Sequence, residues 1–129
     1  MGTKDYAQMR VLVLDDEAIV CKSLTKALGK LGFQVTAFED PEQALARIDQ
    51  EPFDIVVTDV IMGDVDGIQV LEHVKQRAPA TEVIIMTAYA MMDLARKAME
   101  LGAFDFIAKP FDAEEIRAIV VRAAEAVGE

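Results

Sequence analysis

Apolar residues recur along this chain in two rhythms that take turns. Runs rich in Val, Ile and Phe at residues 11–14, 33–38, 53–58, 83–87 and 104–108 have the length and composition of β-strands. Between them the apolar positions take helical spacing. Val20, Leu24, Leu28 and Leu31 fall at i, i+4, i+8 and i+11, and Ala44, Leu45 and Ile48 form a shorter stripe. Ile68, Leu71 and Val74 follow, then Leu94, Ala98 and Leu101, and last Ile116, Ile119, Val120 and Ala123. The pattern predicts five strand and helix pairs in strict alternation.

The residues between the runs support that division. Gly32 and Gly102 stand where helices should end, and Pro41 follows Asp40 as a first-turn proline follows an N-cap. Pro52 and Pro79 lie just before strands, where a helix has to have stopped. Short links between alternating strands and helices imply a mostly parallel sheet with helices on both faces. In the second run Phe33, Val35 and Ala37 oppose Gln34, Thr36 and Phe38, the alternation of a strand at the sheet's edge. No linker, repeat or low-complexity tract interrupts residues 1–129, which are expected to form a single domain.

In a parallel sheet all strands end on one edge, and ligands bind in the crevice outside those ends. Asp15, Asp16 and Glu17 follow the first run and Asp59 the third, while Thr87 closes the fourth and Lys109-Pro110 follow the fifth. Asp40, after the second run, should stand apart. Like charges about 5 Å apart repel by about 3 kcal/mol per pair at an effective dielectric near 20. A hard divalent cation with oxygen ligands offsets such repulsion, and Mg²⁺ takes one or two carboxylates together with water and phosphate oxygens. Lys109 adds a positive charge and Thr87 a hydroxyl, a combination suited to a phosphoryl group that an Asp nucleophile accepts. Taken singly, each residue has a plainer reading. Asp15-Asp16 then cap a helix, Thr87 sits in a turn and Lys109 is a solvated charge. The conjunction after four separate strands favours the site.

Composition narrows the function classes. The 129 residues are 53% apolar, enough for a substantial core, and carry 23 acids against 13 Lys and Arg, a net charge of −10. With a sequence pI near 4.5, neither nucleic acid nor an anionic membrane is an expected electrostatic partner. Cys21 is the single cysteine, so no internal disulfide forms and a reducing cytoplasm is expected. No apolar run approaches the roughly 18 residues of a membrane span or makes a signal-peptide core. Tyr6 stands where a myristoylation signal needs Ser or Thr.

The stretches Val11-Leu12-Val13-Leu14-Asp15-Asp16-Glu17 and Thr58-Asp59-Val60-Ile61-Met62-Gly63-Asp64-Val65-Asp66-Gly67 carry a family likeness. So do Thr87-Ala88-Tyr89 and Gly102-Ala103-Phe104-Asp105-Phe106-Ile107-Ala108-Lys109-Pro110-Phe111. Together they resemble the receiver domain of two-component response regulators, in order and across nearly the whole chain. The resemblance implies a flavodoxin-like doubly wound fold with strand order 2-1-3-4-5. It implies that Asp59 accepts a phosphoryl group from a phosphohistidine of a sensor histidine kinase or phosphotransfer protein. Asp16 would ligate Mg²⁺ (or Mn²⁺) directly and Asp15 mainly through water, with Asp59 and the backbone carbonyl of Ile61 as further ligands. Thr87, Lys109 and the Ala88 N–H would hold phosphoryl oxygens, and the Lys109-Pro110 bond would be cis. Such a domain catalyses only its own phosphorylation and dephosphorylation.

Switching is implied as well. The phosphoryl group brings nearly two negative charges; Thr87 would move toward it and Phe106 would turn into the vacated space. The surface of the fourth helix, fifth strand and fifth helix would change, and a homodimer through it is plausible. Gly63 replaces the proline common in the family, and Asp64 and Asp66 beside it are read as solvated. Ile61 and Tyr89 are expected to slow hydrolysis by limiting water. His73 is set aside as a solvent-facing residue and Cys21 as a packing residue; the methionines Met86, Met91, Met92 and Met99 are read as core filling, with an adaptable partner surface as the alternative.

Two other classes compete. A flavodoxin-like electron carrier needs a phosphate-cradling loop where Asp15-Asp16 stand, and a small Mg²⁺-dependent phosphatase needs an acid/base aspartate where Ile61 stands. The chain ends soon after its fifth helix, so an effector is expected to lie outside it. A standalone regulator and the N-terminal receiver of a larger transcription regulator, of the nitrogen-regulatory type, both remain open.

Overall fold

The computed structural model describes residues 5–60 and 66–127. Five strands, β1 (Arg10–Leu14), β2 (Gln34–Phe38), β3 (Ile55–Asp59), β4 (Glu82–Ala88) and β5 (Asp105–Lys109), alternate with five helices. The helices are α1 (Ala18–Gly29), α2 (Pro41–Gln50), α3 (Gly67–Arg77), α4 (Met92–Glu100) and α5 (Ala113–Ala126). All strand pairs are parallel and the order is β2-β1-β3-β4-β5, a flavodoxin-like α/β fold as expected.

Alternation of side chains along each strand divides the core in two. Val11, Val13, Ile55, Val57, Ile84 and Met86 face α1 and α5, where they meet Leu24, Leu28, Ile116 and Val120. Leu12, Leu14, Val56, Val83 and Ile85 face the opposite layer and meet Ala44, Ile68, Leu71, Val74 and Ala98 of α2, α3 and α4. Strands covered on both faces need no polar face, which is why β1, β3 and β4 read as continuous apolar runs. β2 is at the edge, as its alternation predicts, and its residues are only partly covered.

Local chemistry sets the helix starts. Asp40 accepts from the Glu42 N–H ahead of Pro41, as expected. Asp66 and Asp112 form capping boxes with Gln69 and Glu115 at the starts of α3 and α5. Asp66 is therefore a cap, which corrects its reading as a merely solvated acid. The Asp-x-x-Gln and Asp-x-x-Glu spacings were available as the signal.

Other corrections are local. Phe33 precedes β2 and stacks on Tyr6 with ring centroids 4.5 Å apart, and Phe53 lies ahead of β3 under the Arg10 guanidinium. Leu101, expected in the core, is 39% exposed, because α4 ends at Glu100 and buries the small residues Ala95 and Ala98. Met91 and Met99 are exposed too, so core filling describes Met86 and not these two. His73 is not simply solvent-facing; its Nε2 lies 2.8 Å from Asp49 Oδ1 and links α3 to α2.

Gly102 closes the turn after α4 at φ 103°, and Gly32 does the same after α1 at φ 105°. A side chain in that region costs about 1–2 kcal/mol. Gly102→Ala is expected to lower unfolding stability by about that amount in urea titrations, with an unchanged m-value.

Candidate functional site

Parallel register brings the expected residues to one edge. Leu14 pairs with Thr58, so Asp15 leaves β1 beside Asp59, the last residue of β3. Asp59 pairs with Met86, Thr87 with Ala108, and Ala88 with Lys109. Asp59, Ala88 and Lys109 thus belong to the ladder itself, one residue further than the apolar runs suggested. Asp40 lies at the start of α2 beyond the edge strand, apart from the others as expected.

At that edge one carboxylate oxygen each from Asp15, Asp16 and Asp59 lies within 4.8 Å of the others. Asp15 is fully buried, Asp59 half-buried and Asp16 exposed. Lys109 Nζ donates to Asp15 Oδ2 at 2.6 Å and to Asp59 Oδ2 at 3.0 Å, and stands 3.6 Å from Glu17 Oε1. Burial alone would pull the Lys109 pKa down; the hydrogen bonds and charges of Asp15 and Asp59 outweigh it and hold the pKa above its ordinary value. The ammonium therefore stays charged at neutral pH. Without it, Asp15 and Asp59 would repel by about 3 kcal/mol at an effective dielectric near 20.

Asp15 is anchored on its other side. Its Oδ1 accepts from the Glu17 N–H at 2.8 Å, and the Cys21 Sγ donates to its backbone carbonyl at 3.3 Å. Glu17 is the N-cap of α1 and makes no side-chain cap bond, so the reading of Asp15-Asp16 as an ordinary N-cap pair fails. Burial first, then the Asp15 charge, push the Cys21 thiol pKa up. Cys21 is buried and packs at the base of α1, as expected.

Thr87 is buried, and its hydroxyl lies 3.1 Å from the Ala88 carbonyl and 3.3 Å from that of Met91. Phe106 on β5 is half-buried against the layer of α2, α3 and α4. Ala88 is exposed, and the Lys109-Pro110 bond is cis. Ile61, Gly63, Asp64 and the side chain of Tyr89 lie outside the described residues.

Three carboxylates within one coordination radius, with no His or Cys among them, make a hard oxygen donor set that suits a divalent cation of the Mg²⁺ class. A model of the response regulator receiver domain matches residues 11–121. The chain belongs to that family.

Its relatives are informative about context. The DNA-binding transcriptional regulator NtrC of Salmonella typhimurium is 40% identical over 113 residues, 88% of this chain and 24% of that protein. The response regulator protein PilR of Pseudomonas aeruginosa is 32% identical over 117 residues, 91% of this chain and 26% of that one. The chain spans about a quarter of the length of the curated relatives it matches. Among solved structures, full-length FixJ from B. japonicum superposes with a TM-score of 0.87 at 35% identity, over 94% of this chain and 60% of that one. The beryllofluoride-activated NtrC4 receiver domain dimer gives 0.80 at 32% identity, over 92% and 95%.

A receiver domain of two-component systems is a phosphoacceptor signalling module and not a turnover enzyme, so the electron-carrier and phosphatase readings fall. The acidic cluster is what a metal site of this family requires. Among the described residues no helix is long and apolar enough to cross a membrane.

Mg²⁺ at a hundred times its dissociation constant should add about 2.7 kcal/mol to folding stability. Thermal melts with and without Mg²⁺ are therefore expected to differ by several degrees. Asp16→Asn should melt higher than wild type without the metal, through relieved repulsion, and gain less from adding it.

Proposed function

We propose that this receiver domain is a phosphorylation-activated switch in which Asp59 accepts a phosphoryl group from a phosphohistidine. The observation that carries the reading is the Lys109 ammonium bridging Asp15 and Asp59 at 2.6 and 3.0 Å, beside a third carboxylate. An oxygen of Asp59 attacks phosphorus, the P–O bond forms as the P–N bond to imidazole breaks, and the leaving imidazole keeps or takes up its proton. Bound Mg²⁺ would neutralise charge on the transferring oxygens. Asp15, Asp16 and Asp59 would hold it with the Ile61 carbonyl; Mn²⁺ has the same ligand preferences. Asp15 already accepts from Glu17 and Lys109, which favours its contact through water.

Lys109, Thr87 and the Ala88 N–H would then take the phosphoryl oxygens. For Thr87 that means giving up its contacts with the Ala88 and Met91 carbonyls. Met91 is the N-cap of α4, so the released bond lies at the start of that helix. Phe106 would fill the space that Thr87 leaves. The changed surface, α4, β5 and α5, carries exposed Met99, and exposed Leu101 lies just after α4.

The donor is a sensor histidine kinase or a histidine phosphotransfer protein. It must cover the carboxyl edge, where Ile19 is 68% exposed and lines an apolar hollow of about 370 Å³ with Lys109, Pro110 and Phe111. The domain works in the cytoplasm, where Cys21 stays reduced, and binds no nucleic acid or membrane itself. Likeness to the DNA-binding transcriptional regulator NtrC, of which this chain spans 24%, supports a role as receiver of a larger transcription regulator.

Acetyl phosphate with Mg²⁺ is expected to label the protein stoichiometrically, with borohydride trapping of the acyl phosphate mapping to Asp59. Asp59→Ala should abolish the label, and intact labelling in that variant refutes the site. Beryllofluoride is expected to shift sedimentation from monomer to dimer. Thr87→Val should bind beryllofluoride yet remain monomeric, because the hydroxyl that answers the phosphoryl group is gone.

A further inference from the structure

Gly67, the first residue of α3, is buried against the main chain that carries Asp59. Its N–H donates to the Val60 carbonyl at 2.7 Å, and the Val60 N–H donates to the Met86 carbonyl at 3.0 Å. A Cβ on Gly67 would lie 2.5 Å from the Asp59 carbonyl oxygen, 2.8 Å from the Val60 Cα and 3.2 Å from the Asp59 carbonyl carbon. All three are main-chain atoms, so no rotamer change makes room. Gly67 is not among the glycines at positive φ, so space and not backbone conformation excludes a side chain here.

Something has to give, and the geometry points to Asp59. On one side α3 is pinned by the Asp66–Gln69 capping box and by buried Ile68, Val70, Leu71 and Val74. On the other, Asp59 is the last residue of β3, at the open edge of the sheet. We infer that Gly67 is a positioning residue for the phosphoacceptor. Through it, backbone contact with a fixed helix end sets where the Asp59 carboxylate stands relative to Lys109, Asp15 and Asp16. The inference rests on Asp59 being the residue phosphorylated. Displacing a reacting group by about 1 Å costs on the order of 100-fold in rate. A methyl group at Gly67 demands a shift of that size.

The test is the rate of aspartyl phosphate formation with Mg²⁺ and varied acetyl phosphate, for wild type, Gly67→Ala, Asp66→Ala and Ile68→Val, each checked for folding by thermal melt. Gly67→Ala is expected to lower the limiting rate roughly 10- to 100-fold while leaving the half-saturating donor concentration unchanged. Asp66→Ala loosens the same turn without a clash and should slow the reaction a few-fold. Ile68→Val trims the buried face of α3 while keeping Gly67, and should stay within about twofold of wild type. A wild-type limiting rate in folded Gly67→Ala overturns the inference, as does an equal loss in Ile68→Val at matched stability. If Gly67→Ala does not fold, a wild-type rate in Asp66→Ala overturns it. Label mapping to a carboxylate other than Asp59 in the wild type sinks instead the phosphoacceptor assignment beneath it.

Discussion

The arrangement at the sheet edge depends on one ion bridge, the Lys109 ammonium shared between the carboxylates of Asp15 and Asp59. Asp15 has no exposed surface, and an unpaired buried carboxylate is expensive enough to neutralise itself by taking up a proton. Lys109 supplies the partner, with its Nζ 2.6 Å from Asp15 Oδ2. The bridge joins strands remote in sequence, and it forms only because parallel register sets the ends of β1, β3 and β5 on one edge. The core makes that register costly to alter, since a one-residue slip would exchange the residues facing α1 and α5 with those facing α2, α3 and α4. Packing at Val13, Val57 and Ile107 therefore specifies the electrostatics two residues further along, at Asp15, Asp59 and Lys109.

Much of this was legible in the sequence, for a physical reason. Strands buried on both faces have to be apolar runs, so the polar residue that ends each run marks the edge where a site can form. Asp15, Asp59, Thr87 and Lys109 were all found in that way. Leu101 was misplaced because helical spacing does not say where a helix stops, and α4 ends one residue before it. The caps Asp66 and Asp112 carry the Asp-x-x-Gln and Asp-x-x-Glu spacing of capping boxes. The close approach of Gly67 to Asp59, and the His73–Asp49 link between α3 and α2, had no sequence signal. Both join segments whose distance only the tertiary fold determines.

The net charge of −10 acquires a division of labour in this light. Asp66, Asp112 and Asp40 hold helix starts, and Asp49, Glu51 and Asp105 pair with His73, Arg10 and Arg122. Pairs of this kind, open to solvent screening, contribute little to stability. The three acids at the sheet edge are different, because one Lys109 ammonium stands against three carboxylates, and the repulsion left over is relieved by whatever cation or bond arrives there.

That residual repulsion bears on the proposed switch. Adding a phosphoryl group to Asp59 changes the charge that Lys109 must answer, and Thr87 is the buried hydroxyl donor on the neighbouring strand. Its present contacts are with the Ala88 carbonyl and with Met91, where α4 begins without a side-chain cap. α4 is also the shortest of the five helices and buries only two alanines. Little apolar area and no cap mean that a small change at its first turn is weakly opposed. α3, with its capping box and five buried residues, is the opposite case. On the proposed switch, one neighbour of the site would hold Asp59 still and the other would yield, and the contrast follows from which side chains each helix brings to the sheet.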